Sequence, residues 1–178
     1  LILNLMLFKS YISHLVAILF MVISLSSFSQ EYSEKNIINV ANSIINDSNS
    51  CVFITLDSNN NPTSRLMDPY IYNNDFEIYL VTNPNSRKVS HIIDDNRITL
   101  SFTSKDGESY VSINGTAKLI NDLDLKKKFW KKDWTPYYNN LDKDCILIRI
   151  TPKSLELVSS SNIVLSDPFT WKPATIIF

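Results

Sequence analysis

Beyond residue 50 the chain breaks into short β-rich runs, each closed by a cluster of turn-forming residues, and this rhythm limits the possible folds more than any other feature. Cys51-Val52-Phe53-Ile54-Thr55-Leu56 ends in Asp57-Ser58-Asn59-Asn60-Asn61-Pro62. Thr63 to Tyr72 turns through Asn73-Asn74-Asp75 into Phe76 to Thr82. Arg97 to Thr103 is joined by Lys105-Asp106-Gly107 to Ser109 to Ile120, and Cys145 to Ile150 and Ser154 to Val158 follow. Branched and aromatic side chains fill such runs because they pack well on a pleated surface, whereas Asn, Asp, Gly and Pro end them. Six to seven short strands at regular spacing predict a mainly β, antiparallel barrel or sandwich. A parallel sheet would need a helix in every crossover.

Three helical stretches interrupt the pattern. Between Glu31 and Asp47 the apolar residues Ile37, Ile38, Ala41, Ile44 and Ile45 form a stripe at helical spacing. After Asn83-Pro84-Asn85, Val89, Ile92 and Ile93 mark one face of a short helix. Asp122 to Lys132 carries Leu123, Leu125, Phe129 and Trp130 among lysines and reads as an amphipathic helix; Trp130 and Trp134 read first as packing it onto the barrel, and otherwise as covering a ligand or closing a contact between subunits.

Residues 1–29 stand apart. They contain Lys9 and no acid, then the apolar run Leu15 to Ile23, then small residues ending in Ser27-Phe28-Ser29. This order predicts a secretory signal peptide cleaved after Ser29, and hence an exported, periplasmic or extracytoplasmic protein. The alternative is an uncleaved anchor, for which the run is short, since a span needs about 20 apolar residues. Membrane association is expected only in that case. The remainder divides into one domain over residues 30–160 and a tail over 161–178, aromatic and proline-bearing, packing on it.

Composition removes several function classes. With 17 Lys and Arg against 18 Asp and Glu, no extended nucleic-acid surface is expected. Gly107 and Gly115 are the only glycines, which excludes a glycine-rich dinucleotide or nucleoside-triphosphate loop. Past residue 29 there is one histidine, His91, and no CxxC pair, so no metal site is expected. Cys51 and Cys145 read equally as a disulfide of an oxidising compartment or as two buried thiols.

The helix after Thr82 carries the clearest chemical signal. Its start, Ser86-Arg87-Lys88, places two cations where unpaired backbone N–H groups and the positive end of the helix dipole also lie. Cations oppose that dipole, and a bound anion resolves the conflict. A solvated basic pair beside a turn is the plainer reading.

The order of elements extends this signal. A strand carrying Ser64-Arg65-Leu66-Met67 precedes one ending Tyr79-Leu80-Val81-Thr82-Asn83, then Ser86-Arg87-Lys88, then Asp95 to Phe102, then Tyr110 to Ala117. Over roughly Ile37 to Val158 this resembles the pyridoxamine 5′-phosphate oxidase-related FMN-binding split-barrel superfamily, and most nearly its general-stress-protein branch. The resemblance implies a split β-barrel homodimer with an FMN in each of two clefts between subunits. Carried over by position, Arg65 and Lys88 would contact the FMN phosphate, with Ser86 and Arg87 completing the cradle. Leu66, Met67, Thr82 and Asn83 would present backbone to the isoalloxazine ring, and Tyr110 would lie where a flavin contact is expected. No residue, His91 included, is assigned catalysis.

Departures from the vitamin-forming oxidases are specific. Tyr70 stands where those enzymes use a substrate-binding lysine. Asp122 to Trp134 lacks their Tyr-x-x-x-Arg-x-x-x-Ser pattern, and Lys153 to Phe178 lacks their Arg-x-His. The resemblance therefore implies a flavin-dependent oxidoreductase of another substrate. The alternatives are a non-catalytic protein holding flavin, haem or another anionic ligand and, more weakly, a lipocalin-like barrel.

Overall fold

The computed structural model describes residues 32–73 and 76–178; the expected signal segment lies outside them. Helix α1 (Glu34–Asp47) comes first, with the Ser33 hydroxyl accepting from the Asn36 N–H at its start. Strands β1 (Cys51–Leu56), β2 (Pro62–Met67), β3 (Tyr70–Ile71) and β4 (Ile78–Thr82) precede the short helix α2 (Arg87–Asp94). Then come β5 (Arg97–Thr103), β6 (Ser109–Ile120), helix α3 (Leu123–Lys128) and a 3-10 turn over Lys132–Tyr137. Strands β7 (Ile146–Ser159) and β8 (Ala174–Ile177) close the chain.

All eight strands belong to one antiparallel sheet in the order β2-β1-β5-β6-β7-β4-β3, with β8 also paired to β7. The predicted split β-barrel is the architecture observed. Three boundaries differ from expectation. The run Thr63 to Tyr72 is two strands, because Asp68-Pro69 bends the chain: β2 pairs with β1, and β3 pairs instead with β4. The runs around Ile148 and Leu155 are one strand, β7, that passes straight through Pro152. The tail supplies β8.

Proline cannot donate to a β ladder, so a strand tolerates it only at an edge or an irregularity. Pro152 sits at one: the β6–β7 register shifts between Asn114 and Gly115, and Gly115 faces Pro152. Gly115 is required there by close approach, since a Cβ on it would lie 2.3 Å from the Thr151 carbonyl oxygen.

The core follows from alternation. Ile98, Leu100 and Phe102 on β5 and Val111, Ile113 and Ala117 on β6 point inward. The α1 stripe, including Ile37, Ala41, Ile44 and Ile45, packs with them, each buried side chain contributing about 1.5–3 kcal/mol. Strand β4 is buried throughout. Ile78 and Leu80 enter the main core, whereas Tyr79 and Val81 meet a second cluster with Phe129, Trp134, Cys145 and Leu147. Tyr79 stacks on Phe129 with ring centroids 3.9 Å apart. The expected packing of Trp130 and Trp134 against the barrel is thus observed, with the Trp134 indole N–H donating to Asp68.

One lysine and both cysteines are buried. Lys126 is fully buried and its ammonium donates to Asn121 Oδ1 and to the Leu141 and Asp142 carbonyls, an acceptor for each proton. Cys51 and Cys145 are free, buried thiols, and burial pushes the Cys51 thiol up to about 12. Among the described residues no helix is long and apolar enough to cross a membrane.

Candidate anion-binding site

The bend at Asp68-Pro69 opens a seam. Strand β3 pairs with β4 at Ile78 and Tyr79, so among the described residues Leu80, Val81 and Thr82 have β7 as their only strand neighbour. On the other side, β2 has β1 alone among the described residues, so alternate backbone N–H and C=O groups of Pro62–Met67 point away from the sheet. Arg65 comes from one side of this seam; Thr82, Ser86, Arg87 and Lys88 come from the other.

Register fixes Arg65. It lies directly opposite Phe53, with its guanidinium 5.7 Å from the centre of that ring. One terminal nitrogen, Nη1, donates to the Phe53 carbonyl at 3.2 Å and to Thr55 Oγ1 at 2.8 Å. On the facing side, the Lys88 ammonium donates to Thr82 Oγ1 at 2.9 Å, and Thr82 Oγ1 lies 3.2 Å from Ser86 Oγ. Ser86 is the N-cap of α2, yet its hydroxyl caps no backbone group. The first-turn N–H groups of Arg87 and Lys88 have no intrahelical acceptor, as at any helix start.

The three cations lie close enough to act on one another. Burial, then Arg65 and Arg87, pushes the Lys88 ammonium below its usual value. Burial and then Arg87 act in the same direction on Arg65. None of the ion pairs found among the described residues involves Arg65, Arg87 or Lys88. Two partly buried cations, Arg65 and Lys88, and the exposed Arg87, with no carboxylate paired to them and beside free helix amides, make a site whose charge an anion would balance.

The other predicted site residues divide. Met67 is partly buried against the core, and Leu66 is 72% exposed on the opposite face of β2. Asn83 is exposed, its side-chain oxygen accepting from the Asn85 N–H. Tyr110 pairs with Thr103 and Val158, three strands from β2, so a single chain does not bring it to the cradle. Sequence reasoning also missed two buried residues behind Arg65: its partner Thr55, and His91, whose Nδ1 lies 2.9 Å from Thr55 Oγ1. His91 lies three residues beyond Lys88, on the Val89, His91 and Ile92 side of α2, which is the buried one.

Known proteins agree with this architecture. General stress protein 26 from Bacillus anthracis superposes with a TM-score of 0.64 at 22% identity, covering 80% of this chain and 99% of its own. A relative of general stress protein 26, of the pyridoxinephosphate oxidase family, from Clostridium acetobutylicum gives 0.69 at 18% identity, covering 82% and 97%. A heme binding protein from Mycobacterium smegmatis gives 0.61 at 12% identity, covering 83% of this chain and 59% of its own. At such identities the likeness speaks for the fold alone. No curated protein matches this sequence. The family described as pyridoxamine 5′-phosphate oxidase like matches residues 37–171. With the split barrel and its ordered strands, that match establishes that the chain belongs to the pyridoxamine 5′-phosphate oxidase-like family.

Proposed function

We propose that this protein binds FMN through its phosphate and uses it as a flavin-dependent oxidoreductase on a substrate other than pyridoxamine phosphate. The observation that carries this reading is the convergence, free of carboxylates, of Arg65 from one side of the seam with Arg87, Lys88 and the free first-turn amides of α2 from the other. In this reading Arg65 and Lys88 hold the phosphate with Ser86 and Arg87. The backbones of Leu66, Met67, Thr82 and Asn83 flank the ring, and Tyr110 reaches it from a second subunit. A bound flavin would supply the redox chemistry; the chain would bind it, orient it and shield it from water. Vitamin B6 chemistry is not proposed, because Tyr70 replaces the substrate lysine of the resemblance and its ring lies edge-on to Phe129 at 6.2 Å.

The purified protein, titrated with FMN, is expected to acquire flavin absorbance and to release FMN on denaturation. A protein that stays colourless and leaves added FMN in the filtrate would sink the reading. The mass of the FMN-loaded particle checks the dimer: the exposed Leu66 and Tyr110 lie on one face of the sheet, and sedimentation as a single chain would remove the second subunit from the site.

A second reading, a non-catalytic carrier, draws on the fold shared with a heme binding protein. NAD(P)H oxidation by the FMN-loaded protein separates the two, with turnover supporting the enzyme and idle flavin the carrier. Haem is the weaker ligand for this chain. His91 is the one histidine among the described residues, and it is buried and engaged with Thr55.

A further inference from the structure

Arg65 is held from behind. Its Nη1 uses both hydrogens on β1, one on the Phe53 carbonyl and one on Thr55 Oγ1. Among the described residues, Nε and Nη2 have no protein partner, so the edge of the guanidinium that grips an oxyanion with two parallel bonds stays available. A guanidinium donates and never accepts, so the Thr55 oxygen must accept from it. The single proton of Thr55 is then free to point at His91 Nδ1, which lies 2.9 Å away. With the imidazole proton on Nε2, Nδ1 accepts, and donation runs one way, from Arg65 to Thr55 to His91.

Both supporting residues are deeply placed. Thr55 is fully buried and His91 is 9% exposed. They come from different elements, β1 and α2, and they join the strand that carries Arg65 to the helix that carries Arg87 and Lys88. An arginine on a strand edge otherwise loses rotamer freedom when it grips a ligand. Fixing one nitrogen beforehand removes part of that cost.

We propose that Thr55 and His91 are positioning residues for the phosphate, holding Arg65 by Nη1 so that its Nε–Nη2 edge faces the seam. The proposal rests on the reading that Arg65 binds the FMN phosphate. It also explains why a histidine is buried one turn beyond Lys88, where packing alone calls for an apolar residue.

The test compares FMN with riboflavin, which has the same ring and no phosphate, on the full chain. Thr55→Val keeps shape and removes the hydroxyl; His91→Leu removes the acceptor. Each is expected to weaken FMN about tenfold and to leave riboflavin unchanged, the scale of one lost hydrogen bond at a charged group. Thr55→Ser and His91→Asn, which restore a hydroxyl and an acceptor near Nδ1, are expected to bind FMN within about twofold of the parent. Thr55→Val that binds FMN like the parent overturns the proposal. So does Thr55→Val that weakens FMN and riboflavin equally, since that marks a general packing defect. Arg65→Ala in the same series tests the underlying reading: if it leaves the FMN-to-riboflavin ratio unchanged, the phosphate assignment itself fails.

Discussion

Replacing Arg65 and Lys88 together by alanine is expected to lower FMN affinity by two to four orders of magnitude. Hydrogen bonds to a charged group contribute about 1.5–3 kcal/mol each, and about 1.4 kcal/mol is a factor of ten. The two side chains stand on opposite sides of the seam, so their losses combine with no shared protein partner to compensate. The fold itself should survive. Neither residue takes part in an ion pair among the described residues, both side chains are only partly buried, and Thr82 and Ser86 retain each other as partners. Equilibrium dialysis with FMN, alongside a circular dichroism melt, measures both sides of this expectation. A double variant that keeps FMN with parental affinity would show that the phosphate does not sit among these cations.

The second large effect is on stability. Gly115→Ala places a methyl 2.3 Å from the Thr151 carbonyl oxygen and 3.1 Å from Pro152 Cα. Both are backbone atoms of the paired strand, and the ring of Pro152 stiffens the segment that would have to yield. Overpacking of this kind costs about 1–3 kcal/mol, and more when the backbone must move. At about 2–4 °C per kcal/mol, the melting temperature should fall by roughly 5–10 °C. Gly107→Ala is the contrasting control. Nothing lies within 4 Å of the added carbon there, and the cost comes only from a φ of +76°. Thermal melts of the two variants distinguish the causes, and a Gly115→Ala protein as stable as the parent would refute the close approach.

What could be read in advance depended on how local each determinant was. Strands β1, β5 and β6 begin and end where the turn residues around them dictate, and the α1 stripe needs only its own spacing. Asp68-Pro69 was hidden because the residues on both sides are β-formers, so the run looked continuous although its two halves pair with different strands. Pro152 misled in the opposite direction. It reads as a strand breaker, and only the distant Gly115 makes room for it within a continuous β7. Lys126 looked like a solvated helix lysine, because its acceptors at Leu141 and Asp142 lie in a later loop.

The site shows the same division. Ser86, Arg87 and Lys88 are neighbours in sequence and were legible as a unit. Arg65 entered through the ordered resemblance. Thr55 and His91 were not legible, since they are 36 residues apart and meet only when α2 folds back on β1. Tyr110 shows the limit of transfer by position, because its strand lies three places from β2 in this chain's sheet.

The open edge of β2 has a consequence for solubility. A strand with unpaired N–H and C=O groups is a template on which another chain can add, the first step toward aggregates. Here that edge is six residues long, opens with Pro62, carries the charge of Arg65 midway and is bent out of line at Asp68-Pro69. Each of these discourages a neighbouring chain from docking in register. The strand that carries the proposed anion contact therefore also carries features that discourage edge-to-edge addition, and Arg65 belongs to both sets.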